Sequence, residues 1–129
     1  IPLEVSPFFL NISHSKVGST FAISKNRRVG IDMEEMDRLS IGLINRISNP
    51  QEQATLLNSK LLFPAKESCW KACEKQWNIS TISQIETFAW TAKEHGWSTF
   101  SAKTKDFNLP GQGWVCLISG ICLSFFLCP

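Results

Sequence analysis

Asp32 and Glu34 stand two apart in Gly30-Ile31-Asp32-Met33-Glu34, and Glu67 and Lys71 stand four apart in Lys66-Glu67-Ser68-Cys69-Trp70-Lys71. A two-residue spacing turns both carboxylates to one side of a strand, and a four-residue spacing puts the Glu and the Lys on one face of a helix. If the strand and helix are neighbours, three carboxylates and an ammonium meet. Hard oxygen donors of this kind suit Mg²⁺, which takes few protein carboxylates and completes its shell with water and substrate phosphate. Each part also has a plainer reading. Asp32 and Glu34 could simply end a strand in solvent, and a lone Glu-Lys pair on a helix is an ordinary surface ion pair worth ~0.3–0.5 kcal/mol.

The elements that must position these groups follow from local pattern. Phe8-Phe9-Leu10-Asn11-Ile12 reads as a strand that delivers Ser13-His14-Ser15 at its end. Residues 18–24 form a second strand, Lys25-Asn26-Arg27-Arg28 has the polarity of a hairpin turn, and 29–34 returns as a third strand. Asp32 and Glu34 are therefore expected near the end of a central strand, with Ile31 and Met33 supplying its apolar face. Leu39, Leu43, Ile44 and Ile47 have helical spacing. A fresh helix start follows, with Asn49 as N-cap, Pro50 first inside and Glu52 closing a capping box. A longer helix is expected over 65–77, beginning near Pro64, which is tolerated only in a first turn. Trp70, Cys73 and Trp77 mark its apolar side. The last third turns to strands: 85–92 and 97–102 as a hairpin about Lys93-Glu94-His95-Gly96, then a final strand over 114–123 with a hydrophobic tail.

The 129 residues suit one domain, 1–129, large enough to bury a core without disulfides or a structural metal. With 43% hydrophobic and 19% charged residues the chain is globular in type rather than disordered. A formal net charge of +2 with scattered basic residues argues against a dedicated nucleic-acid binder. The apolar C-terminal stretch falls short of the ~18–20 continuous residues that a spanning helix needs, so no membrane partner is expected. Cys69, Cys73, Cys116, Cys122 and Cys128 are an odd set without CxxC spacing, read as reduced thiols of a cytoplasmic protein, with Cys69 and Cys73 facing the core. His95 has no chemical companions and reads as a turn residue.

Taken in order, Ser13-His14-Ser15, Val29-Gly30-Ile31-Asp32-Met33-Glu34 and Phe63-Pro64-Ala65-Lys66-Glu67-Ser68-Cys69-Trp70-Lys71-Ala72 resemble the motif set of the 4′-phosphopantetheinyl transferase superfamily. The Ser-His element precedes the other two, as in the two-half type that serves surfactin and enterobactin synthetases. The resemblance implies an α+β fold, an antiparallel sheet packed against helices, and a chain that corresponds to the second half of a pseudo-duplicated protein with a first half upstream. It implies holo-[acyl-carrier-protein] synthase activity: transfer of the phosphopantetheine arm of coenzyme A to a serine of an acyl or peptidyl carrier protein. On that resemblance Asp32, Glu34 and Glu67 match the Mg²⁺ site, Lys66 and Lys71 the basic residues near the coenzyme A phosphates, and Ser13 and His14 a phosphate-contacting pair. Glu67 is the candidate acceptor of the serine proton, and Lys71 the catalytic cation.

Two departures bear on activity. Pro64 stands where a small polar residue is more typical of the family, and the interval between Asn49 and Lys66 is shorter than usual. Two rival readings follow: a truncated, inactive domain that binds coenzyme A or a partner, and an unrelated Mg²⁺-dependent phosphohydrolase. The second leaves the Ser-His and lysine elements unexplained.

Overall fold

The computed structural model describes residues 8–129. Three strands come first, β1 Phe8–Ser15, β2 Gly18–Lys25 and β3 Arg28–Glu35, followed by helices α1 Ile41–Ile47, α2 Pro50–Thr55 and α3 Leu62–Trp77. Four strands complete the chain: β4 Glu86–Ala92, β5 Trp97–Lys103, β6 Gln112–Ile118 and β7 Ile121–Cys128. The architecture is α+β: a five-stranded sheet in the order β3-β7-β6-β5-β4, antiparallel throughout, packed against helices, with β1 and β2 as a separate two-stranded ribbon. Among the described residues no helix is long and apolar enough to cross a membrane.

Local signals set the helix starts. Ser40 accepts from the Leu43 N–H at the head of α1. At α2, Asn49 and Glu52 form the reciprocal capping box with Pro50 in the first turn, as their spacing predicts. Helix α3 begins a few residues ahead of the expected 65, so Pro64 lies inside its first turn, where a missing N–H costs nothing. It ends at Asn78, whose left-handed backbone returns an N–H to the Glu74 carbonyl.

The core lies between α3 and the sheet. Ala65, Cys69, Ala72 and Cys73 from α3 meet Phe100, Val115, Cys122, Phe126 and Cys128 from the strands. All five cysteines are buried free thiols, and Cys69 and Cys73 face the core as expected. Two glycines permit the close packing. A Cβ on Gly113 would lie 2.1 Å from the Phe100 ring, and one on Gly30 would lie 2.0 Å from the Ser68 carbonyl oxygen. Ser68 and Ser124, both fully buried, satisfy each other at 2.8 Å across the same helix-sheet seam.

Three sequence expectations are corrected. The turn at Asn26 joins β2 to β3, but those strands do not pair: β2 pairs with β1 about the Lys16-Val17 turn, and β3 with β7. The acidic strand β3 is thus an edge of its sheet rather than central. The single final strand expected over 114–123 is two strands, because Ser119 and Gly120 both take positive φ and reverse the chain. The hydrophobic tail is β7, which lies between β3 and β6.

Candidate functional site

β3 and α3 carry the chemistry, and Gly30 sets their separation. Because no side chain stands between Gly30 and the Ser68–Ala72 backbone, the next residue on the same face of β3, Asp32, comes against Lys71. The Lys71 ammonium donates to the Ile31 carbonyl at 2.8 Å and pairs with Asp32 Oδ1 at 3.3 Å. Asp32 is 5% exposed. Its other close partner is Ser13, whose hydroxyl accepts from the Met33 N–H at 3.0 Å and makes a long 3.5 Å contact as donor to Asp32 Oδ1.

Ser13 belongs to an unusual edge closure. On the flank of β3 away from β7, the Ile31 N–H is taken by Asn11 Oδ1 at 2.8 Å and the Met33 N–H by Ser13 Oγ. Side chains of β1, not its backbone, therefore satisfy the exposed edge. The ribbon turns its polar face toward β3 as a result.

The electrostatics are those of crowded carboxylates. Burial pushes Asp32 above its usual range, while Glu34, the Lys71 ammonium and the Ser13 hydroxyl oppose the shift. Glu34 is pushed up to about 8, first by burial, then by hydrogen bonding to Asp32 and by the charges of Asp32 and Glu67. Glu67 is raised by burial and then by Asp32, with Lys71 opposing. The Glu34 carboxyl thus keeps its proton to near-neutral pH. No donor reaches Asp32 Oδ2, which is buried.

The expected metal set is Asp32, Glu34 and Glu67. The structure places Asp32, Glu34 and Glu67 near enough to one another that their charges raise the titration of Glu34 and Glu67. Among the described residues no three His, Cys, Asp or Glu side chains form a ready-made metal cage. Two adjoining carboxyls, an unserved buried oxygen and mutual repulsion nonetheless fit a hard cation, since Mg²⁺ commonly takes one or two carboxylates and keeps its waters.

Two expected members stand elsewhere. Adjacent strand residues point to opposite sides, so with Ser13 at Asp32, His14 is exposed on the outer face, its Nδ1 2.8 Å from Ser19 Oγ. Lys66 is roughly 140° around the helix from Lys71 and is 1% exposed. Its ammonium donates to the Ile47 carbonyl and pairs with Glu52 at 2.9 Å. Glu52 also accepts from the Thr87 N–H and hydroxyl, each at 2.8 Å. This buried ion pair ties α3 to α2 and β4. It borders a cavity of about 720 Å³ whose walls include Arg46, Trp77, Lys105 and Phe107 but none of Asp32, Glu34, Glu67 or Lys71.

Sequence reading assigned Glu52 a capping role and missed its pairing with Lys66. A capping-box Glu looks the same whether exposed or buried, so the spacing carries no signal of it. Asn11 was missed as well, although a lone polar residue between Leu10 and Ile12 was visible. Compared with known proteins, the chain matches no protein-family model and no curated protein sequence.

Proposed function

We propose that this chain is a domain of the phosphopantetheinyl transferase type, which moves 4′-phosphopantetheine from coenzyme A to a carrier-protein serine in a Mg²⁺-dependent reaction. The observation that carries this reading is the meeting of Asp32, Glu34, Glu67, Lys71 and Ser13, drawn from three separate segments whose order and motifs resemble that family.

In the proposed reaction the serine oxygen bonds to the phosphorus that carries pantetheine, the pyrophosphate bridge breaks, and adenosine 3′,5′-bisphosphate leaves. Phosphoryl transfer rests on in-line positioning and charge neutralisation. Asp32 and Glu34, with Glu67 beside them, would hold Mg²⁺, which when bound supplies positive charge to the phosphate oxygens. Lys71 adds a fixed cation. An ammonium has three N–H groups, and Ile31 and Asp32 occupy two, which leaves one for a phosphate oxygen. Glu67, raised above the ordinary carboxylate range, would take the serine proton directly or through a water. Ser13 helps to orient Asp32 through a long contact with Oδ1, the same oxygen that pairs with Lys71. Lys66 serves as a structural cation in this scheme.

The test is to incubate the chain with Mg²⁺, coenzyme A and an apo-carrier protein, and to read the mass added to the carrier. Asp32→Asn and Glu67→Gln should each lower transfer by roughly 10²–10³, as losses of transition-state charge stabilisation do. Full activity in both variants would defeat the assignment.

A second reading is a domain that binds coenzyme A or a partner without transferring. It is favoured by the positions of His14 and Lys66, both outside the carboxylate cluster. Coenzyme A binding by calorimetry with no mass added to any carrier would select it.

A further inference from the structure

Glu52 and Lys66 form a buried pair whose two members are unequally served. One Glu52 oxygen accepts from the Asn49 N–H and the Lys66 ammonium, the other from the Thr87 N–H and hydroxyl. A carboxylate has about four lone-pair sites, so Glu52 has no capacity left. The Lys66 ammonium has three N–H groups and two acceptors, Glu52 and the Ile47 carbonyl. Its third N–H meets no acceptor among the described residues, although the side chain is 1% exposed. Lys66 lines the cavity of about 720 Å³ whose walls exclude the carboxylate cluster, and that volume is of the size that small-molecule sites have.

The other polar groups of the cavity are chiefly donors. Asn49 gives its side-chain oxygen to the Glu52 N–H, and Gln84 gives its own to the Ser80 and Thr81 N–H groups, so each amide has its NH₂ left to donate. Arg46, near the end of α1, and Lys105, between β5 and β6, are exposed on its walls, and neither enters an ion pair among the described residues. Glu86 and Asp106 also line the cavity and would attract a cation. A cation, however, would bring like charge to an ammonium that burial already disfavours. An anion instead supplies the acceptor that the third N–H lacks. Trp77 and Phe107 add an aromatic wall, their ring centroids 5.1 Å apart and tilted by 38°, against which a planar body can lie.

We propose that this cavity is a second binding site, for a small aromatic acid whose phosphate or carboxylate group meets Lys66, Arg46 and Lys105 while its ring lies against Trp77 and Phe107. The proposal is independent of whether the carboxylate cluster transfers phosphopantetheine.

The experiment titrates the whole chain, isotope-labelled for NMR, with phenyl phosphate, inorganic phosphate and phenylethylammonium. Phenyl phosphate should shift the Trp77 indole N–H and the amides of Arg46, Asn49 and Lys105, and should bind more tightly than inorganic phosphate. Phenylethylammonium, a similar ring with the opposite charge, should not bind. Arg46→Ala/Lys105→Ala, altered only at exposed positions, should weaken phenyl phosphate roughly tenfold or more with the circular-dichroism spectrum unchanged. Should that double variant unfold, Lys105→Glu alone must show the loss. Glu86→Gln removes a competing negative charge and should leave binding equal or tighter. Absence of phenyl phosphate binding, equal binding of phenylethylammonium, or loss of binding in Glu86→Gln would overturn the proposal. So would inorganic phosphate binding as tightly as phenyl phosphate, which would leave an adventitious ion only. Displacement of phenyl phosphate by coenzyme A would overturn it too, because the cavity would then belong to the site of the proposed reaction.

Discussion

Gly30 and Ser68 touch backbone to backbone: a Cβ on Gly30 would fall 2.0 Å from the Ser68 carbonyl oxygen and 2.7 Å from the Ala72 nitrogen. Neither obstacle can rotate away as a side chain would. Gly30→Ala must push β3 off α3, and overpacking of this kind costs about 1–3 kcal/mol or more. Urea denaturation should show that loss. The same displacement separates Asp32 from Lys71, so any transferase activity should fall further than the fraction of unfolded protein explains.

The Lys66–Glu52 pair is buried on both sides, with side chains 1% and 3% exposed. Removing one partner strands a charge. Lys66→Met alone should destabilise by about 3–5 kcal/mol, whereas Lys66→Met with Glu52→Gln should recover much of that loss. A double-mutant cycle by chemical denaturation measures the coupling, and additive single effects would show that the pair does not act as a unit.

pH should act through Glu34. Its folded-state pKa lies near 8, above the ordinary 4.5, so between those values the native state binds more protons than the unfolded one. Stability from this group is complete below pH 4.5 and is lost as pH rises through about 8. Asp32 and Glu67 are shifted in the same direction. Without divalent ions, the thermal midpoint should therefore decline across this window, and Glu34→Gln should flatten the decline.

Added Mg²⁺ should reverse that trend. A cation that binds only the folded carboxylates stabilises by mass action, about 2.7 kcal/mol at a hundred times its dissociation constant. The rise in thermal midpoint should be largest above pH 8, where Glu34 is ionised, and absent in Asp32→Asn. An equal rise in that variant would place the cation elsewhere.

The five thiols should be inert in the folded protein. All are buried, and burial or a neighbouring thiol raises Cys73, Cys122 and Cys128 well above the ordinary thiol range. A thiol-specific reagent at pH 8 should label them only at the rate of unfolding, as intact-mass spectrometry would follow.

What the sequence determined by itself was local. The two-residue spacing of Asp32 and Glu34, the four-residue spacing of Glu67 and Lys71, and the Asn49–Glu52 capping box each specify a face or an end, because backbone periodicity and capping act over a few residues. The acidic face of β3 was legible for that reason. Partner choice was not. Placement of β7 between β3 and β6 joins segments far apart in the chain, and a continuous apolar run reads alike as a central strand or as a tail. Lys66 and Lys71 look equivalent as neighbouring basic residues on one helix, yet the packing of α2 and β4 commits one to Glu52 and that of β3 brings the other to Asp32. Ser13 and His14 are likewise adjacent in sequence and opposite in space, because the β3 edge needed an acceptor and only one of them could face it.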